Sequence, residues 1–148
     1  MTQVKICSVQ ELEHVLTAAK AGADFVGFNF VPGVRRQLPD GKAQRMIRSC
    51  REVYGNSGPK LVGIFVDQPQ DEVNRLLDYC GLDMAQLSGH ESLDYCLQLT
   101  RPVIKAVHVQ AALGIEDPVK ETQWLQEAAD RTGFPHGIVA HANLKDPR

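Results

Sequence analysis

The feature that most constrains this 148-residue chain is a regular alternation between short β-branched apolar runs and segments of helical period. The runs are VKIC at 4–7, FVGFNFV at 25–31, LVGIFV at 61–66, DMAQL at 83–87, VIKAVHV at 103–109 and GIVAHA at 137–142. Between them, apolar residues recur at helical spacing: Leu12, Val15, Leu16 and Ala19; then Val73, Leu76, Leu77 and Cys80; then Trp124, Leu125 and Ala128. Near-continuous apolar strands separated by helices predict a parallel sheet buried on both faces, with six strands and five helices. The repeating unit is βα, which suits a barrel or an open α/β sheet equally well.

Local punctuation adds detail. Ser8 with Glu11, and Ser88 with Glu91, have the spacing of capping boxes directly after a strand. Asp67 fits an N-cap for the helix containing Pro69, and Asp117 followed by Pro118 fits another helix start. Gly22, Gly55, Gly81 and Gly133 stand where helices should stop. The segment YGNSGPK at 54–60 reads as a surface turn, so residues 1–148 are expected to form a single domain. A complete eight-stranded βα barrel takes roughly 200 residues or more, and this length falls short of that.

Charge excludes several function classes. Sixteen Lys and Arg against 18 Asp and Glu give a net charge of −2, with no basic block. Nucleic acid and anionic membranes are therefore not expected as partners. No apolar run approaches the roughly 20 residues of a spanning helix. The opening MTQVKICSVQ places a charge-bearing strand where a secretory signal would need an apolar stretch, which predicts a cytoplasmic protein with reduced thiols. Cys7, Cys50, Cys80 and Cys96 form no CxxC pair; the last three sit in helical segments as small buried hydrophobes.

In barrels and open sheets alike, ligands bind at the carboxyl ends of the strands. That rule selects Cys7, the loop Asn29 to Arg36, Asp67, Gln86 to His90, His108 to Gln110, and His141 to Asn143. Cys7 ends a strand just before the expected helix start at Ser8, where a thiolate would be stabilised as nucleophile or base; a packed strand-end cysteine is the competing reading. Arg35 and Arg36 lie in VPGVRRQLP, where a guanidinium fork suits a carboxylate or phosphate, or is simply solvated. Gln86, Ser88 and His90 cluster after the fourth strand. His136 and His141 are five residues apart along a strand and so point to opposite faces, which argues against a shared metal. No metal or other cofactor is expected.

Residues up to about 110 resemble the phosphoribosylanthranilate isomerase family. The matching segments are VKIC at 4–7, AGADFVGFNFVPGVRR at 21–36, VGIFVDQPQDEV at 62–73, LDMAQLSGHES at 82–92 and RPVIKAVHV at 101–109. The resemblance implies an α/β fold of TIM-barrel type, truncated here to about six βα units. It also implies an Amadori rearrangement of a phosphorylated substrate in tryptophan biosynthesis. It makes Cys7 the general base and Arg36 the carboxylate clamp, with Arg35, Gln86 and Ser88 beside the substrate. Two motif positions differ: the family commonly reads KICG where Ser8 stands here, and QLHG where Ser88 stands. The family's acidic residue ends the sixth strand, and His141 is its topological stand-in. The glycine-rich phosphate turns after strands seven and eight have no counterpart. From about 119 to 147 the chain resembles a segment of the amidohydrolase superfamily, so 111–148 is read as a divergent tail. Three functions follow: an isomerase, a non-enzymatic barrel fragment that closes its open sheet as a homo-oligomer, and a metal-dependent hydrolase.

Overall fold

The computed structural model describes residues 3–108 and 138–141, and for 107, 108 and 138–141 the backbone alone. The expected helix around Trp124, the cap at Asp117, the stop at Gly133, the position of His136 and most of the tail fall outside these residues.

Six strands form one sheet: β1 (Lys5–Ile6), β2 (Phe25–Asn29), β3 (Lys60–Phe65), β4 (Met84–Leu87), β5 (Val103–His108) and β6 (Ile138–His141). All five pairings are parallel and the spatial order is β1-β2-β3-β4-β5-β6. Right-handed crossovers that always step the same way leave the described helices on one face, which is the winding of a barrel wall rather than of a doubly wound sheet. The helices are α1 (Leu12–Lys20), α2 (Asp40–Tyr54), α3 (Gln70–Cys80) and α4 (Leu93–Leu97). The strands and the βα repeat stand where the apolar periodicity puts them.

Strand alternation sorts the core into two layers. On the outer face Val26, Phe28, Phe30, Leu61, Phe65, Ala85, Leu87 and Val103 join Val15, Ile47, Leu76 and Cys96 of the helices in one buried cluster. Phe30 and Phe65 stack there with centroids 5.5 Å apart. On the concave face, Val62, Ile64, Ile104 and Ala106 are also buried but lie outside that cluster. The strand registers put Asn29, Ile64, Gln86 and Ile104 in one layer across this face.

The amino ends of the strands are closed by aspartates. Asp24 accepts the Val4 N–H at 2.7 Å. Asp83 accepts the Leu61 N–H at 2.6 Å and pairs with Arg51. These aspartates follow the helix stops Gly22 and Gly81, whose φ values of 81° and 73° need a residue without a Cβ.

The expected caps are corrected by tertiary contacts. α1 starts after Glu11 with no side-chain cap, and Ser8 instead holds φ 57° in the turn leaving β1. The cap of α4 is Ser92, whose Oγ accepts the Tyr95 N–H at 3.2 Å. Ser88 is not that cap, because Glu91 is drawn elsewhere. α3 starts after Pro69, and Asp67 does not cap it.

Candidate active site

Cys7 is exposed at the carboxyl end of β1, with its Sγ 3.5 Å from Ser8 Oγ. The nearest helix begins five residues later at Leu12, so the expected stabilisation of a thiolate by an adjacent helix N-terminus does not arise here. Continued alternation from Lys5 assigns Cys7 to the concave face.

The loop after β2 is tied by its own backbone. Asn29 Oδ1 accepts the Val31 N–H at 2.9 Å, Gln37 Oε1 accepts the Gly33 N–H at 2.9 Å, and the buried Leu38 donates to Asn29 O at 2.8 Å. Gly33 has φ 75°, so the turn requires a glycine. This framework presents Arg35 and Arg36, both exposed. Neither guanidinium has an ion-pair partner among the described residues, whereas Arg51, Arg75 and Arg101 are each spent on an aspartate.

At the end of β4 the structure brings Gln86 and Ser88 together. Gln86 is 9% exposed, and its Nε2 donates to Ser88 Oγ at 3.1 Å. Its Oε1 is buried with no hydrogen-bond donor among the described residues. A buried acceptor left without a donor costs free energy. Beside it lies a network that the sequence did not reveal. The Glu91 carboxylate accepts the Asp67 N–H at 2.9 Å, the Gly89 N–H at 3.0 Å and Lys105 Nζ at 2.5 Å, and Lys105 also donates to Gly89 O at 2.7 Å. Only 2% of the Glu91 side chain is exposed. The signal was present: Lys105 is a lone lysine inside the apolar strand VIKAVHV, and a buried ammonium needs a carboxylate.

Asp67 closes the same loops from the other side. Its carboxylate accepts the His90 N–H at 2.6 Å and lies 3.3 Å from His90 Nδ1. These bonds, the backbone one first, hold its carboxyl below the usual aspartate range. His90 is thus a partner of Asp67 rather than a member of a cluster with Gln86. A Cβ on Gly89 would run into the Asp67 carboxylate.

The three helical cysteines are buried as expected. Burial pushes the thiols of Cys50 and Cys96 upward and that of Cys80 to about 11. Burial likewise raises the Tyr95 hydroxyl to about 12, while it donates to Gln68 O at 2.8 Å. Among the described residues, no three His, Cys, Asp or Glu side chains gather as metal ligands.

The fold and these strand ends match known proteins. The model of N-(5'-phosphoribosyl)anthranilate isomerases matches residues 4–128. The chain belongs to the phosphoribosylanthranilate isomerase family. It is 39% identical over 132 residues to the isomerase of Dehalococcoides mccartyi and 44% identical over 110 residues to that of a Geobacter species. These stretches are 89% and 74% of this chain, but 59% and 52% of the relatives, so the chain spans little more than half their length. The isomerase structure of Thermus thermophilus superposes with a TM-score of 0.67 at 36% identity, over 74% of this chain and 53% of that one. The Thermotoga maritima isomerase gives 0.75 at 27% identity, over 99% and 64%. The family match runs to residue 128, into the segment read as amidohydrolase-like, and nothing in these comparisons supports that second likeness.

Set in the isomerase family, the two motif departures have physical readings. Ser8 carries the positive φ for which the family's usual glycine is suited. Ser88, where the family commonly has histidine, accepts from Gln86 instead. His141 is the last residue of β6, aligned with His108 of β5; the side chains of both lie outside the described residues.

Proposed function

We propose that the chain carries out the isomerase chemistry of its family, the Amadori rearrangement of N-(5'-phosphoribosyl)anthranilate in tryptophan biosynthesis, in the cytoplasm and without a cofactor. The observation that carries this reading is an exposed thiol at the end of β1 together with, in the loop after β2, exposed guanidinium groups that no carboxylate of the described residues neutralises. In this scheme a general acid protonates the ribose ring oxygen and the ring opens to a Schiff base. Cys7 then removes the C2 proton to give an enolamine, which gains a proton at C1 and loses the one on the C2 hydroxyl to become the aminoketose. Arg36 holds the anthranilate carboxylate bidentately, Arg35 adds positive charge nearby, and Gln86 and Ser88 offer hydrogen bonds from the end of β4. His141, at the end of β6, takes the place of the general acid. A correctly placed acid or base contributes about 10²–10⁴-fold.

We also place a contact between copies of the chain at β1. Among the described residues β1 pairs only with β2, and Val4 and Ile6 are exposed along it. A cavity of about 710 Å³ lined by Val4, Ile6, Val9, Ala18 and Ala23 flanks this edge. Residues 1–148 are proposed to act as a single domain within that assembly.

The test is an isomerase assay on the purified chain with freshly made phosphoribosylanthranilate, beside a Cys7→Ser control and sedimentation of the same sample. Turnover that disappears in Cys7→Ser is expected. Absence of turnover in a folded sample, or turnover that persists in Cys7→Ser, overturns the assignment.

A further inference from the structure

The concave face holds a cation that the chemistry above does not use. Lys5, on β1, stands two residues before Cys7; it aligns with Phe25 while its ammonium lies over Gly27, so its side chain runs along the sheet toward the carboxyl end. Its ammonium lies 3.1 Å from where a Cβ of Gly27 would sit, and Ile64 Cδ1 lies 3.1 Å from that same point. Gly27 therefore leaves the space the lysine fills. Ile6 aligns with Val26, so the next pair up the strands, Cys7 and Gly27, share one level. Neighbouring strands are about 4.8 Å apart, which brings the ammonium within about 8 Å of the Cys7 Cβ.

Two further observations bear on what this position can do. Lys5 has no carboxylate or other acceptor among the described residues. Ile64, beside the ammonium, is aligned with Gln86, whose Oε1 is buried and without a donor. The face thus offers unused N–H donors at the level of the thiol and, one layer nearer the carboxyl ends on β4, an acceptor without a donor among the described residues. A ligand oxygen at the level of Cys7 could accept from the Lys5 ammonium.

We propose that Lys5 is a ligand-binding cation of this site, holding an oxygen that carries or gains negative charge next to Cys7. Under the isomerase reading, on which the identity of the ligand rests, that oxygen is the hydroxyl on the carbon whose proton Cys7 removes. Lys5 forms no covalent bond; it orients the carbon toward the thiol and offsets charge that builds on the oxygen.

The test uses Cys7 itself and needs no turnover. The full chain is alkylated with iodoacetate, which is anionic, and with iodoacetamide, which is neutral, and the rates at Cys7 are read by mass spectrometry. An ammonium beside the thiol favours the anionic reagent, so the iodoacetate-to-iodoacetamide rate ratio is expected to fall about three- to tenfold in Lys5→Met. Lys5→Arg should keep the wild-type ratio. Gly27→Ala, which displaces the ammonium without removing charge, should lower it, and this variant serves should Lys5→Met not fold. An unchanged ratio in folded Lys5→Met or Gly27→Ala overturns the proposal. The two readings fail separately. A normal Lys5 effect without wild-type turnover removes the isomerase reading alone, and turnover with a ratio insensitive to Lys5 removes this one alone.

Discussion

The two halves of the strand-end rim are built on opposite principles. Around the ends of β3 and β4, charged groups of the described residues answer one another: Asp67 with His90, and Glu91 with Lys105 and two backbone N–H groups. Around the ends of β1 and β2, the thiol of Cys7 and the guanidinium groups of Arg35 and Arg36 face outward without ion pairs among the described residues. The saturated half is framework, because its charges are already answered inside the protein. The other half is where the proposed ligand would bind. Substitutions on the two sides should therefore change different observables.

The largest effect belongs to Glu91. Replacing it with alanine strands the Lys105 ammonium and removes the acceptor of the Asp67 and Gly89 N–H groups. Breaking a buried pair from one side costs about 3–5 kcal/mol, so Glu91→Ala should lower the denaturant midpoint sharply. The double variant Glu91→Leu with Lys105→Met should recover more than half of that loss, since no charge is left unpaired. A single-variant loss under about 1 kcal/mol would show that the pair is solvated after all.

Arg36 should behave in the reverse way. Arg36→Lys keeps the charge and loses the planar fork, so anthranilate should bind about tenfold more weakly, a change of about 1.4 kcal/mol. Unfolding should stay within about 0.5 kcal/mol of wild type, as for an exposed side chain without a partner. Arg35→Lys should have the smaller effect on binding. Superimposable titration curves for wild type and Arg36→Lys would take Arg36 out of the site.

This division also explains what was legible in the chain. The six strands were readable because burial on two faces imposes a local signature, a run of β-branched residues between helical periods. The positions of Cys7 at the end of the first strand and of the two arginines in the loop after the second were readable from the same alternation. The caps were misread because the Ser-x-x-Glu pattern is local while the winning partners are not: Glu91 is taken by Lys105, 14 residues away in sequence. Asp67 is likewise taken by His90, 23 residues away. The direction of Lys5 along the concave face was invisible for a related reason, since it depends on a neighbouring strand having glycine at position 27.

Ser8 offers a smaller and opposite effect within the unsaturated half. Its φ of 57° is a left-handed conformation that costs a residue with a Cβ about 1–2 kcal/mol. Glycine removes that cost but loses more backbone entropy on folding, by about 0.5–1 kcal/mol. Ser8→Gly should therefore stabilise the protein by about 0.5–1 kcal/mol, read from the shift in denaturant midpoint. A loss of stability would mean that the Ser8 hydroxyl, 3.5 Å from Cys7 Sγ, matters more than the strain.

The smallest effect separates charge from packing inside the saturated half. The Asp67 carboxyl is held below its ordinary range by the His90 backbone N–H and ring. A carboxyl with a lowered folded-state pKa contributes stability above its unfolded value, near ~3.9, and loses it as pH falls through the folded value. Asp67→Asn keeps an oxygen to accept the His90 N–H but removes the charge. The variant should be slightly less stable than wild type at neutral pH, and the two midpoints should converge as acid protonates the wild-type carboxyl below about pH 4. Because Asp67 is exposed, the gap is small and should shrink further in salt. A gap that stayed constant from pH 7 to pH 2 would assign the role of Asp67 to its packing against Gly89. The Asp67 side of this rim would then be held by shape rather than by charge.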